Sequence, residues 1–148
     1  MKKIYGLILL AVVAFGCGDD DGPKLTVEQY MTASTNGWVF QSYKVNGVEA
    51  LNDLYEACEL DDATIFTADG KFTVVDGSSK CDPDDPSTID SGTWTLNSDK
   101  TQITITSTTG GELFTLTKFT ANDTNLSGEM SGSIGGTTFT VAIIMKKK

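Results

Sequence analysis

From residue 92 to residue 145 the chain alternates apolar and polar side chains in short runs, and this narrows the fold more than any other feature. "GTWTL" puts Trp94 and Leu96 on one face, and "TQITIT" does the same with Ile103 and Ile105. "ELFTLTKF" and "NLSGEM" continue the pattern. In "TTFTVAIIM", Phe139, Val141, Ile143 and Met145 share a face opposite Thr138, Thr140 and Ala142. A period of two residues belongs to a strand with one buried face. The runs break at Asn97-Ser98-Asp99, Gly110-Gly111, Asn122-Asp123 and Gly135-Gly136, all turn formers. Connections this short make each strand the antiparallel neighbour of the next.

The first half is less uniform. "WVFQSYKV" (38–45) reads as the first strand. "ATIFT" and "KFTVV" flank Ala68-Asp69-Gly70-Lys71, where Asp-Gly predicts a two-residue hairpin with positive φ at both positions. Thr26 and Gln29 have capping-box spacing, Leu25 can staple onto Tyr30, and a helix from Val27 to Ala33 follows, ended by Asn36-Gly37. Val48, Leu51, Leu54 and Tyr55 fall on one helical face of residues 48–57, which predicts a short helical lid over something apolar. "CDPDDPSTID" (81–90) reads as a loop, because its two prolines cannot donate to a ladder.

About eight strands in meander order must cover their apolar face or close on themselves. There is too little helix to cover it. The expected fold is therefore all-β: a small eight-stranded up-and-down antiparallel barrel with one or two short helices. Its outer face is rich in threonine, which suits a pleated surface touching water.

The N-terminus gives an address. Lys2 and Lys3 precede an apolar run from Ile4 to Phe15, the plan of a signal peptide. The run is too short to cross a bilayer, which needs roughly 20 apolar residues. Ala14-Phe15-Gly16-Cys17 resembles a bacterial lipobox, with Phe15 an unusual middle residue. By that resemblance residues 1–16 are a lipoprotein signal peptide, and Cys17 becomes an acylated N-terminus. Two or more acyl chains give stable anchoring where one holds only marginally. Residues 17–24 then form an acidic tether. Asp19, Asp20 and Asp21 hold it off anionic headgroups, and they resemble the surface-export signal of Bacteroidetes-type lipoproteins. The expected location is the outer membrane, lipid-anchored, with surface exposure as the further implication of the acidic run.

Composition excludes several functions. The net charge is −9, and it becomes −11 once Lys2 and Lys3 leave with residues 1–16. Nucleic-acid binding depends on neutralising phosphates with Lys and Arg, so it is not expected. The chain has no histidine, which removes the commonest general base and any Ser-His or Cys-His pair. Cys58 and Cys81 remain after Cys17, and in an oxidising compartment a disulfide is the default. A redox or metal pair lacks support, with neither a C-x-x-C spacing nor a histidine.

Gly37-Trp38, Cys58-Glu59-Leu60-Asp61-Asp62, Phe66-Thr67-Ala68-Asp69-Gly70, Cys81-Asp82-Pro83 and Gly92-Thr93-Trp94 together resemble the lipocalin-like domain of Bacteroidetes-type lipoproteins. The likeness covers roughly residues 36–146, within a domain expected over 25–148. It implies a calyx-shaped barrel with a bridge between Cys58 and Cys81. Lipocalins carry Gly-x-Trp at the first strand, whereas Gly37 and Trp38 are adjacent, so no lipocalin ligand site is carried across.

The barrel interior is the sharpest functional candidate. Trp38, Phe40, Phe72, Trp94, Leu96, Phe114, Met130 and Phe139 are the candidate ligand-binding residues. Val74, Ile103, Ile105, Leu116, Leu126, Val141 and Ile143 also point inward. A barrel of this size is either filled by its side chains or holds one small ligand. The bulk of these residues favours filling, and Gly128 between Leu126 and Met130 leaves local room. Asp82, Asp84, Asp85 and Asp90, with Asp61 and Asp62, could be read as calcium ligands or an acid/base pair. The EF-hand loop pattern is absent, and a solvated acidic loop is the simpler reading. No catalytic residue, metal or cofactor is expected. The expectation is a non-enzymatic, lipid-anchored barrel for a small hydrophobic or amphipathic ligand. The alternative is an envelope module with a filled core that meets a protein or glycan through its loops. An apolar cavity open at one end selects the first reading, and a packed interior with an aromatic rim the second.

Overall fold

The computed structural model describes residues 24–108 and 111–148, apart from the side chains of 111–113. The expected signal peptide (1–16) and the tether from Cys17 lie outside these residues, Lys24 excepted.

Helix α1 (Val27–Thr32) opens the described chain. Thr26 Oγ1 accepts from Gln29 N–H at 3.3 Å, and Gln29 Oε1 accepts from Thr26 N–H at 2.8 Å, so the capping box forms as the sequence predicts. The helix ends at Thr32 with Ala33 as its C-cap, before Asn36-Gly37. Gly37 instead shapes the entry to the first strand. It takes φ +82°, and a Cβ there would sit 2.9 Å from the Thr64 carbonyl oxygen. Both demands select glycine.

The strands are β1 (Trp38–Val45), β2 (Val48–Glu49), β3 (Ala63–Phe66), β4 (Lys71–Val75), β5 (Thr88–Leu96), β6 (Ile103–Ser107), β7 (Gly111–Ala121), β8 (Asn125–Ile134) and β9 (Thr137–Lys147). A one-turn helix α2 (Leu51–Leu54) lies between β2 and β3. From β3 onward each strand pairs antiparallel with the next. β1 pairs with β3 at Trp38↔Thr64 and with β9 from Trp38↔Lys147 to Val45↔Val141. That last pairing closes an eight-stranded up-and-down barrel, as expected. β2 is an appendage paired only to β1.

Four local expectations need correction. The β3–β4 connection is a three-residue loop: Phe66 pairs with Phe72, Thr67 N–H donates to Lys71 O at 2.9 Å, and Gly70 alone has positive φ, at +78°. A three-residue hairpin needs one left-handed position, and glycine fills it. The 48–57 segment is not one helix. Asn46 and Gly47, at φ +50° and +83°, form the two-residue hairpin that makes β2, so Val48 and Leu54 stay 70% and 57% exposed. Residues 88–90 of the expected loop belong to β5. In β7, Lys118 takes φ +50° where the register with β8 shifts, so the inward series runs Leu116 then Phe119, a residue the strict alternation misses.

The barrel has two unlike ends. Where β1 starts and β9 finishes, α1 packs against β3 and β7. Met31, Trp38, Phe66, Trp94, Ile103, Phe119 and Leu126 are all buried there. Trp38 Nε1–H donates to the Met31 carbonyl at 2.8 Å, and Trp94 Nε1–H to the Lys71 carbonyl at 3.0 Å, so both indoles are satisfied within an apolar floor. The opposite end carries α2 and the loops 55–62 and 76–87.

Candidate functional site

Above the floor, the walls do not meet. Phe40, Thr64, Phe72, Val74, Ile105, Phe114, Leu116, Ile143 and Met145 surround a cavity of about 210 Å³. Every lining side chain except Thr64 is apolar. Phe40, Thr64, Val74 and Met145 also border a second space of about 170 Å³, whose remaining walls are Tyr55, Glu59, Asp62 and Ile89. Glu59, Asp62 and Ile89 continue outward to Asp76, Cys81, Asp85 and Pro86. An apolar chamber thus adjoins, across four shared lining residues, a mouth edged with carboxylates. The domain matches the lipocalin-like domain family over residues 35–128, most of the barrel. The chain belongs to this family. No curated protein matches the sequence. The family match ends within β8, so the strand that closes this lipocalin-like barrel onto β1 lies beyond it.

The mouth is built by cross-ties between its two loops. Cys58 and Cys81 are disulfide-bonded, as the sequence leads one to expect, with Cα atoms 5.2 Å apart. Asp61 Oδ2 accepts from Ser78 N–H and Ser78 Oγ–H at 2.8 Å each and from Ser79 N–H at 3.2 Å. Asp62 Oδ1 accepts from Gly77 N–H at 2.8 Å. Consecutive carboxylates of one loop therefore hold the backbone of the other. The two groups sit in opposite electrostatic settings. The Ser78 hydroxyl hydrogen bond holds the Asp61 carboxyl below its ordinary range. Burial pushes Asp62 up, and the nearby charges of Asp76, Asp61 and Glu59 add to it. Burial likewise raises the Tyr55 hydroxyl.

The aromatic wall comes from β1 and the end of α2. Phe40 and Tyr55 have ring centroids 5.2 Å apart at 36°. Tyr43 meets both rings edge-on, at 6.4 Å from Phe40 and 6.0 Å from Tyr55. Leu51 is buried but borders a different space, with Val39, Gln41, Leu60 and Lys146, so only Tyr55, the C-cap of α2, supplies part of the expected lid.

Of the eight candidate ligand-binding residues, Phe40, Phe72 and Phe114 line the cavity. Trp38 and Trp94 belong to its floor, where Trp94 meets Phe66 edge-on at 6.1 Å. Leu96, Met130 and Phe139 pack against the core away from the cavity walls. The room expected at Gly128 is occupied, since a Cβ there would come 2.8 Å from Leu116 Cβ. The space lies instead where short Thr64 and Val74 face inward. Thr64 could have been found, because it alternates with Phe66 in "ATIFT". Tyr55 is marked by its place in the expected lid, but nothing local marks Glu59 or Ile89 as mouth residues, since loop closure brings them there.

The acidic loop residues do separate jobs. Asp82 Oδ1 accepts from Asp84 N–H at 2.9 Å, and Asp85 Oδ2 from Asp82 N–H at 3.2 Å, so both shape their own turn. Asp90 sits in β5 and accepts from Ser107 Oγ–H at 2.9 Å. Among the described residues, the one group with metal-ligand spacing is Glu56, Cys58 and Cys81. Its two sulfurs are bonded to each other and so are not thiolates.

Proposed function

We propose that this lipocalin-like domain is a non-enzymatic binder of one small hydrophobic or amphipathic molecule, held at the outer membrane by acyl chains on Cys17. The cavity of about 210 Å³, walled by eight apolar residues and Thr64, carries the binding reading. Its size limits the ligand. An engineered apolar cavity of ~150 Å³ takes up benzene, whereas drug-sized sites span ~300–1,000 Å³. The apolar part of the ligand is then about one ring or one short chain. Anchoring rests on the lipobox-like Ala14-Phe15-Gly16-Cys17 and the acidic run after it.

Titration with an environment-sensitive naphthylamine dye tests the binding. A saturable fluorescence rise is expected, displaced by short-chain alcohols. Val74→Phe, which puts a ring into the chamber from a position bordering both spaces, is expected to abolish the rise while costing no more than about 3 kcal/mol of stability. An unchanged dye response in that variant counts against the cavity as the site. For the anchor, radiolabelled palmitate is expected on the wild-type protein in its bacterial host and absent from Cys17→Ser. Equal labelling of both would remove Cys17 as the acylated residue.

A further inference from the structure

The mouth is chemically one-sided. Its walls are Phe40, Tyr55, Glu59, Asp62 and four other residues, with neither Lys nor Arg among them. The neighbouring bases are committed elsewhere: Lys80 Nζ lies 2.9 Å from Asp76 Oδ2 and donates to the Asp85 carbonyl at 2.8 Å, and Lys148 Nζ donates to the Asp61 carbonyl at 2.6 Å. Glu59 Oε2 accepts from Glu56 N–H at 2.7 Å, and Asp62 Oδ1 accepts from Gly77 N–H. A carboxylate has about four acceptor sites, so each retains capacity for a donor in the mouth. The charges that weigh most on Asp62, those of Asp76, Asp61 and Glu59, are negative.

Beside these carboxylates stand the Phe40 and Tyr55 rings. An aromatic face attracts a cation through its quadrupole, most strongly where water is excluded. Rings and carboxylates converging without a basic side chain disfavour an anionic head and leave a neutral one without charge complementarity. Resting on the ligand-binding reading above, we propose that the ligand is a small organic cation. Its ammonium head lies in the mouth between Phe40, Tyr55, Glu59 and Asp62, and its apolar body fills the chamber below.

Three probes sharing one tail test this by calorimetric titration at neutral pH and low salt: 4-phenylbutylamine, 4-phenylbutanol and 4-phenylbutyrate. The amine is expected to bind about tenfold more tightly than the alcohol, the scale of a partly desolvated cation–π and ion-pair contact, and the carboxylate more weakly than either. Glu59→Gln with Asp62→Asn keeps both hydrogen-bond acceptors. It is expected to erase the advantage of the amine while leaving the alcohol within about twofold of wild type. Glu59→Gln alone should lose part of the advantage, which keeps the test available if the double variant folds poorly. Alcohol binding equal to amine binding, or an advantage that survives both substitutions, overturns the cationic head and leaves the cavity reading standing. Failure of all three probes to bind overturns both.

Discussion

The indole N–H of Trp38 donates to the Met31 carbonyl at 2.8 Å, joining the first barrel strand to the last turn of the helix that floors it. The final carbonyls of a helix have no intrahelical donor. Here one of them is satisfied by a side chain that is itself fully buried. The floor is therefore a locked unit, and the empty space lies above it. Trp38→Phe keeps a ring but strands the carbonyl and leaves a void. A loss of about 2–4 kcal/mol is expected, read as a lower urea midpoint at unchanged m-value. Lys147, whose Nζ lies 5.9 Å from the Trp38 ring centroid, is expected to cost under about 1 kcal/mol when changed to Ala.

Gly77 is needed for space. A Cβ there would fall 2.1 Å from Asp61 Oδ1, so Gly77→Ala must expel the carboxylate that holds Ser78 and Ser79. The expected loss is about 1–3 kcal/mol, together with faster hydrogen exchange at the Ser78 and Ser79 amides. Unchanged exchange there would mean that the clamp is not what orders the loop.

Asp62 and Asp61 should respond oppositely to pH. The carboxyl of Asp62 is raised by burial and by its acidic neighbours, so its ionised form costs stability in the folded state. That cost is present at neutral pH. It is relieved as pH falls through the raised value, where the folded chain takes up a proton before the unfolded one does. Asp62→Asn is thus expected to be more stable than wild type at pH 7, with the gap gone below the unfolded Asp value of about 3.9. Asp61 is lowered by Ser78, so its contribution is present above the unfolded value and disappears as pH falls through the lowered one. Asp61→Asn should be the less stable chain at pH 7. Urea unfolding of both variants at pH 7 and pH 3.5 checks the two signs.

The Cys58–Cys81 bridge closes a loop with a sequence separation of 23. In the chain-entropy model, replacing both cysteines with serine costs about 3 kcal/mol. Because Asp61 and Asp62 tie the same two loops, the barrel is expected to persist, with an unchanged far-ultraviolet β signal. Collapse of that signal would show that the bridge, not the strand closure, carries the fold.

Much of the barrel was legible from its period. β1 was read to the residue, and the inward faces of β6 and β9 followed from alternation. What alternation cannot report is a change of phase. Lys118 adds such a change in β7 and brings Phe119 inward. The Asn46-Gly47 hairpin was also present in the sequence, but apolar spacing over 48–57 masked it, because Val48 and Leu54 mimic a helical face while pointing to water.

By itself the sequence determined most of the strands, their antiparallel order and the apolar side of those that keep a strict period, since these depend on residue spacing and short turns. The position of the empty space, and the carboxylates and rings at its opening, were decided only in three dimensions. Volume left between walls depends on how side chains from distant strands meet once the sheet closes. Phe40, Asp62 and Ile89 become neighbours through that closure and through the ties between two loops, which local spacing does not encode.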